Sequence, residues 1–153
     1  ETLDALNSNA VIKKNLWRGE TMLSETHGAI TYYALADANK NIVQYIDASG
    51  VIQEHREYKT FGGDYSATGP MAGQFEYGFS SEYKDPSTGL VMYIFRAYDP
   101  ETGKFISRDP IEEDGGENLY AMVENDTVNW WDWLGLDGTQ IEVHIDPKEV
   151  ARR

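Results

Sequence analysis

The stretch that decides the fold lies in the middle of the chain, where Asp85-Pro-Ser-Thr-Gly89 returns as Asp99-Pro-Glu-Thr-Gly103. Each copy has the composition of a tight turn, since Asp accepts backbone hydrogen bonds, Pro presets φ and Gly takes the left-handed closing position. Residues 90–98, between the copies, are rich in β-branched and aromatic side chains and have the length of one strand. This pattern predicts a β-meander, with residues 104–108 as its next strand.

Residues 30–60 repeat the pattern more loosely, as three strand-like runs separated by two turn-forming clusters. The runs are residues 30–35, 41–46 and 51–58. Residues 61–64 and 67–70 are rich in Gly and predict loops. Residues 74–79 predict another strand, because aromatic residues alternate with other residues there.

Two segments favour helix. Residues 1–16 show weak 3.6-residue spacing and predict either a helix or an irregular start. Residues 118–125 place three apolar side chains on one face behind an Asn cap and predict one or two helical turns. Residues 137–147 alternate as a strand would. The predicted fold class is therefore all-β, a meander of hairpins with a small core region that contains one or two short helical turns.

Composition excludes several classes of protein. The 153 residues are enough for one domain with a core, and 41% of them are hydrophobic. The net charge of -13 repels phosphate backbones and anionic lipid, so we expect no nucleic-acid partner. No apolar run reaches the ~18 residues of a membrane span, so no membrane insertion is predicted. Because the chain begins with Glu1, we expect a segment of a longer protein.

Metal and cofactor sites find little support in the sequence. The absence of cysteine excludes disulfides, thiolate metal sites and a cysteine nucleophile. The three histidines, His27, His55 and His144, are too scattered to predict a metal site. We predict neither a metal nor a cofactor.

Several motifs in one order give the chain a family resemblance. They are Tyr98-Asp-Pro-Glu-Thr-Gly-Lys-Phe-Ile-Ser-Arg-Asp-Pro110, Gly115-Gly-Glu-Asn-Leu-Tyr-Ala121, Asn125-Asp-Thr-Val-Asn129 and Asp132-Trp-Leu-Gly-Leu136. Together they closely resemble the RHS repeat-associated core domain of bacterial RHS proteins of the polymorphic-toxin type. The upstream strands, with Glu57-Tyr-Lys-Thr-Phe-Gly62, look like the YD repeats that precede that domain.

The resemblance implies a division of the chain into four parts. They are an N-terminal segment at 1–27, YD-repeat-like strands at 28–80, the core domain at 81–136 and the stub of a variable C-terminal region at 137–153. In RHS proteins, YD repeats form hairpins that coil into a hollow shell, and the core domain closes one end. The implied partners are the rest of that shell and an enclosed C-terminal effector. The implied location is secreted or at the cell surface.

The resemblance also implies a catalytic site. In many members, the core domain cuts the chain after its terminal Gly-Leu by aspartic-protease chemistry, in a single intramolecular turnover. The matching carboxyl groups are Asp109 and Asp132, and the implied scissile bond joins Leu136 to Asp137. Two carboxylates about 3 Å apart share a proton, so that one activates water and the other protonates the leaving group. Arg108 is expected to polarise the carbonyl or to orient a carboxylate.

Other interpretations stay open at this point. Asp109 and Asp132 are also typical turn residues, and Trp133 stands where many relatives have a φ-fixing Pro. The chief alternative function is a non-catalytic binding or adhesion module at the cell surface. A hydrolase with external substrates is a weaker alternative, because no nucleophile and base pattern is visible.

Two further expectations concern surfaces. Trp130, Trp131 and Trp133 are expected to pack the plug against the shell, with a sugar-stacking platform as the alternative. A truncated YD sheet has open edges, which predict self-association through strand pairing.

Overall fold

The computed structural model describes residues 2–4, 10–112, 118–123, 126–127, 130–132, 134–136 and 138–140. Antiparallel strands dominate it, and the all-β prediction is confirmed. Within these ranges, the structure describes one helical element, a 3₁₀ turn at Phe79–Ser81. Within the described ranges, no helix is long and apolar enough to cross a membrane.

A seven-stranded antiparallel sheet forms the N-terminal part, with its strands in chain order. Its strands are β1 Thr2–Asp4, β2 Ala10–Arg18, β3 Thr21–His27, β4 Ile30–Ala36, β5 Ile42–Ile46, β6 Ile52–Tyr58 and β7 Asp64–Thr68. The runs predicted at 30–35, 41–46 and 51–58 match β4, β5 and β6 to within one residue at each end. The meander leaves β1 and β7 as the two edge strands.

Two smaller sheets form the C-terminal part. A four-stranded sheet in the order β11-β10-β9-β8 contains β8 Tyr83–Lys84, β9 Val91–Met92, β10 Ala97–Asp99 and β11 Lys104–Phe105. A two-stranded sheet pairs β12 Trp130–Asp132 with β13 Gly138–Gln140. We call residues 79–136 the plug and the seven-stranded sheet the wall.

Four local predictions were wrong. Residues 1–16 contain strands β1 and β2 in place of a helix, because the sheet pairs them edge to edge. Residues 90–98 form a hairpin rather than one strand, since Tyr98 pairs with Val91. Residues 74–79 carry only an isolated bridge from Tyr77 to Tyr83. Residues 64–68, partly assigned to loops, form β7.

The predicted helical turns at 118–125 fall partly outside the described residues. Within the described part, the N–H of Ala121 donates to the carbonyl of Asn118 at 3.0 Å, which closes one turn. Ala121 also makes an isolated bridge to Lys104.

The wall buries one face beneath a strap formed by residues 70–78. Its core contains Met22, Tyr32, Ile42, Tyr45 and Phe75. The ring of Phe75, from the strap, stacks on Tyr45 with centroids 3.9 Å apart. Arg56 is buried beside Glu54 at 2.9 Å and donates to the Tyr77 carbonyl at 2.7 Å. The alternating aromatic residues of the strap therefore cover the sheet instead of extending it.

The plug has its own core, which abuts the wall. It contains Phe79, Val91, Tyr93, Tyr98, Phe105, Met122 and Val123, with Tyr58 of the wall packed against it. Among the described residues, three plug side chains donate to wall carbonyls: Ser81 to Lys40 at 2.8 Å, Tyr98 to Phe61 at 2.9 Å and Thr127 to Thr60 at 2.8 Å. The plug is thus fixed to two turns of the wall, the one between β6 and β7 and the one between β4 and β5.

Candidate functional site

One buried guanidinium joins the two predicted carboxylates. Arg96 Nη1 lies 2.8 Å from Asp109 Oδ2, and Arg96 Nη2 lies 3.6 Å from Asp132 Oδ2. The three residues are 4%, 5% and 2% exposed, respectively. The guanidinium carbon also lies 3.7 Å from the centre of the Phe105 ring, a cation–π contact. The fold therefore places a charged triad inside the plug.

The β9–β10 hairpin delivers Arg96 to this position. The chain reverses at its tip, where the N–H of Tyr93 donates to the Arg96 carbonyl at 3.0 Å. The N–H of Phe95 donates to the Leu134 carbonyl at 3.0 Å, which fastens the tip to the segment after β12. A straight strand would not place Arg96 at this turn.

Asp132 binds the backbone that leads to the predicted scissile bond. Its Oδ1 accepts from the N–H groups of Leu134, Gly135 and Leu136 at 3.1, 2.7 and 3.2 Å. Gly135 has φ +75, and a Cβ there would lie 3.0 Å from the Cβ of Tyr93. Arg96 Nε donates to the Gly135 carbonyl. Carboxylate and guanidinium together fix the Gly-Leu segment.

Asp109 is held by a separate set of backbone contacts. Its Oδ1 accepts from the N–H of Ile111 at 2.9 Å, and its own N–H donates to the Leu119 carbonyl at 3.0 Å. That carbonyl also accepts from Arg96 Nη1 at 3.3 Å. Asp109 therefore closes a turn and pairs with a cation at the same time.

Burial dominates the electrostatics of the site. Desolvation raises the pKa of Asp132, although the three N–H donors and Arg96 oppose the rise. Desolvation also lowers the pKa of Arg96, and both carboxylates oppose that shift. Nearby, burial and the charge of Asp132 raise the pKa of Glu82 to about 7. A carboxyl group of this region thus holds a proton near neutral pH.

The predicted site residues have different positions. Asp109 and Asp132 meet at one guanidinium, and Leu136 is half-buried beside Asp132. Arg108 is exposed, and the cation between the carboxylates is Arg96. Asp137 and Trp133 lie outside the described residues.

Sequence reasoning missed Arg96. A signal was present, because Arg96 is the charged residue in the otherwise apolar and aromatic run at 90–98. A charged side chain in a run that is expected to be buried is usually paired with an opposite charge, so Arg96 could have been expected to bind a carboxylate. Interpreting that run as one strand hid the reversal that turns Arg96 towards Asp109.

The structure describes the three predicted tryptophans only in part. Trp130 is 37% exposed, and the side chains of Trp131 and Trp133 lie outside what the structure describes. In the described part of the chain, no group of three or more His, Cys, Asp or Glu side chains could hold a metal ion.

Comparisons with known proteins agree with the architecture. A family described as Teneurin YD-shell matches residues 10–127. Double-stranded DNA deaminase toxin A of Burkholderia cenocepacia (strain H111) is 48% identical over 61 residues, which are 40% of this chain and 4% of that protein. Toxin subunit YenC1 of Yersinia entomophaga is 34% identical over 94 residues, 60% of this chain and 10% of that protein.

A solved structure of a toxin complex has a similar fold. The crystal structure of TcdB2-TccC3 without its hypervariable C-terminal region matches with a TM-score of 0.73 and 25% identity, over 81% of this chain and 6% of that chain. These matches confirm the predicted resemblance to RHS and YD-repeat proteins. The present chain spans a tenth or less of the length of these relatives.

Proposed function

Because this chain belongs to the Teneurin YD-shell family, we propose that it forms wall and plug of a shell that encloses a C-terminal effector polypeptide. The continuous seven-stranded meander and the plug fixed to two of its turns support this role. We retain the division into an N-terminal segment at 1–27, YD-repeat-like strands at 28–80, a core domain at 81–136 and the stub of a variable C-terminal region at 137–153. The toxin relatives make a secreted or cell-surface location our proposal for the parent protein.

We further propose that the plug cuts its own chain once, between Leu136 and Asp137. The observation that carries this proposal is Asp132, which pairs with Arg96 while it binds the N–H groups of 134–136. The acyl side of the bond is thereby held beside the acid–base groups before any reaction begins. Such fixed placement replaces a bimolecular encounter and accounts for a large share of many enzymatic rate accelerations.

The cleavage is a hydrolysis with two proton transfers. Water attacks the carbonyl carbon of residue 136, a carboxylate takes a proton from that water, and a protonated carboxyl group gives a proton to the nitrogen of residue 137. The C–N bond breaks, leaving a carboxyl group on residue 136 and an amine on residue 137.

The geometry favours one assignment of these roles. Asp109 is the base, because its Oδ2 lies in a close ion pair with Arg96 at 2.8 Å. Asp132 is the acid, because its Oδ2 lies 3.6 Å from Arg96 and burial raises its pKa. Arg96 acts as a positioning residue that aligns both carboxyl groups and the Gly135 carbonyl.

Intact-mass spectrometry of the incubated chain tests the cleavage. We expect a product that ends at Leu136, and we expect Asp109→Asn and Asp132→Asn to abolish it. Asp85→Asn is the matched control, because Asp85 accepts the same kind of turn hydrogen bond, from the N–H of Ser87 at 2.9 Å, but lies on the surface. Persistent full-length wild-type chain, with the fold shown intact by circular dichroism, would refute the cleavage and leave a passive shell segment.

A further inference from the structure

The four-stranded sheet of the plug has a second face, opposite to its core. Successive side chains of a strand point to opposite faces, so the residues next to the buried Val91, Tyr98 and Phe105 lie on this second face. Met92 pairs with both Tyr83 and Ala97, and the N–H of Ile106 donates to the Ala97 carbonyl at 2.9 Å. Together they cross the sheet in one line, which we call the outer row: Tyr83, Met92, Ala97 and Ile106.

The outer row and the hairpin tip beside it are apolar and accessible. Met92 is 42% exposed and Ile106 is 58% exposed. Ile94 and Phe95, at the tip of the β9–β10 hairpin, are 62% and 55% exposed. Single exposed apolar residues are ordinary at a protein surface, but several on one small sheet indicate a binding surface.

This surface lies where the chain leaves the candidate site. The N–H of Phe95 donates to the Leu134 carbonyl at 3.0 Å, so the hairpin tip touches the segment before the predicted scissile bond. After that bond the chain forms β13, which ends at Gln140. Residues 141–153 lie outside the described residues, and their first part, Ile141-Glu-Val-His-Ile145, alternates apolar with polar side chains. In an extended conformation, this part of the chain presents an apolar face of its own.

We propose that residues 141–145 bind across the outer row as a second strap, with their three β-branched side chains against it. Those side chains span ~13 Å in an extended segment, and the three steps between neighbouring strands from Tyr83 to Ile106 span ~14 Å. The two apolar surfaces therefore match in length. Where the proposed cleavage occurs, this strap keeps the new N-terminus bound to the plug, but the docking itself does not require the cut.

The first strap supports this choice of occupant. Residues 70–78 lie across the wall in the same manner, and Phe75 stacks on Tyr45 with centroids 3.9 Å apart. The outer row adjoins this strap, because the rings of Tyr77 and Tyr83 have centroids 5.8 Å apart. A second strap from the same chain therefore continues a cover that already exists at one end of the row.

The charges beside the row match the same occupant. Lys104 and Arg108 are both exposed, two residues before and two residues after Ile106. Glu142 lies between the apolar residues of the proposed strap, and Asp146 follows them. Opposite charges around two matching apolar surfaces favour one register and disfavour others. In a chain with a net charge of -13, most of the surface would repel such an acidic segment.

Disulfide trapping in the full chain tests the docking, because the sequence contains no cysteine. We expect Val143→Cys to form a disulfide with Met92→Cys about tenfold faster than with Leu35→Cys, since docking raises the effective concentration of the first pair. Leu35 is the matched control, because it lies on β4 of the wall and is 43% exposed, against 42% for Met92. Mass spectrometry without reduction detects the disulfide in cleaved and uncleaved chains alike, since the bond joins the two pieces.

Limited proteolysis gives a second measurement without cysteines. A glutamate-specific protease should cut after Glu142 about tenfold faster in Ile106→Asn than in wild type, because loss of an apolar contact releases the segment. Ile30→Asn is the control and should leave the rate unchanged, since Ile30 lies on β4 and is 55% exposed, close to the 58% of Ile106.

The outcomes separate docking from cleavage. A selective disulfide in a chain that stays whole would support the second strap and refute only the cleavage. Equal disulfide rates for Met92→Cys and Leu35→Cys, or equal proteolysis of Ile106→Asn and wild type, would overturn the second strap and leave the proposed function standing. Self-association of wild type that Ile106→Asn abolishes, together with equal disulfide rates, would assign the row to a second copy of the chain and also overturn the inference.

Discussion

Replacing Arg96 with methionine should destabilise the protein far more than the same change at Arg108. Arg96 is buried and faces both Asp109 and Asp132, whereas Arg108 is exposed. Removing one partner of a buried ion pair costs about 3–5 kcal/mol, because the carboxylates remain buried without their cation. An exposed substitution away from such contacts changes stability by about 0.5 kcal/mol or less. In a domain of this size, the larger loss lowers Tm by roughly 6–20 °C.

The loss should also depend on pH. Burial raises the pKa of Asp132 and Arg96 opposes the rise, so Arg96→Met raises that pKa further. The folded variant then holds a proton that the unfolded chain releases, and its stability falls as pH rises through the folded-state pKa. The deficit relative to wild type therefore grows as pH rises above the ordinary carboxyl pKa.

Urea unfolding of wild type, Arg96→Met and Arg108→Met at several pH values measures both effects. Equal losses in the two variants would refute the assignment of the central cation to Arg96. A deficit that stays constant with pH would show that lost packing on Phe105, not unpaired charge, causes the instability.

Three further predictions concern packing, protonation and assembly. In urea unfolding, Gly62→Ala should lower the free energy of unfolding by about 1–3 kcal/mol more than Gly50→Ala does. Both positions have positive φ, but only a Cβ at Gly62 would lie 2.4 Å from the Phe79 ring. Similar losses in the two variants would contradict this. Burial raises the pKa of Glu82 to about 7, so its contribution to stability is complete below the ordinary carboxyl pKa and is lost as pH rises through about 7. Glu82→Gln should therefore make Tm depend less on pH between those two pKa values. An unchanged slope of Tm against pH would count against the raised pKa. The open edges β1 and β7 should cause concentration-dependent self-association. Tyr65→Lys should weaken this association, because Tyr65 on β7 is 75% exposed. Size-exclusion chromatography that shows only monomeric wild type at high concentration would exclude the association.

Local turn chemistry made much of the wall predictable. Asp37 and Asp47 each bind N–H groups two and four residues ahead, as turn-forming Asp residues do, so the strands that flank them could be located from sequence. The alternation of Phe75 and Tyr77 was misleading, because a strap lying across a sheet buries every second side chain just as a strand does. Periodicity reports burial and does not identify the hydrogen-bond partner.

The site was predictable only in part. Asp109 and Asp132 came from the family resemblance, and nothing local distinguished them from other turn Asp residues. Arg96 joins them through contacts between segments distant in sequence, made possible by a chain reversal at Ile94 and Phe95. Ile94 and Phe95 are both exposed and are not typical turn residues. The reversal therefore depends on pairing between β9 and β10 and on the hydrogen bond from the Phe95 N–H to the Leu134 carbonyl.

The joint between wall and plug has a consequence for sequence variation. Tyr98 and Thr127 of the plug bind main-chain carbonyls of Phe61 and Thr60, and Ser81 binds that of Lys40 at 2.8 Å. A carbonyl is present whatever amino acid occupies the position, so replacing Thr60 or Lys40 leaves each acceptor in place. Descendants of such a protein can diversify the receiving half of the joint without matching changes in the donating half, and docking survives where pairwise side-chain recognition would require coevolution.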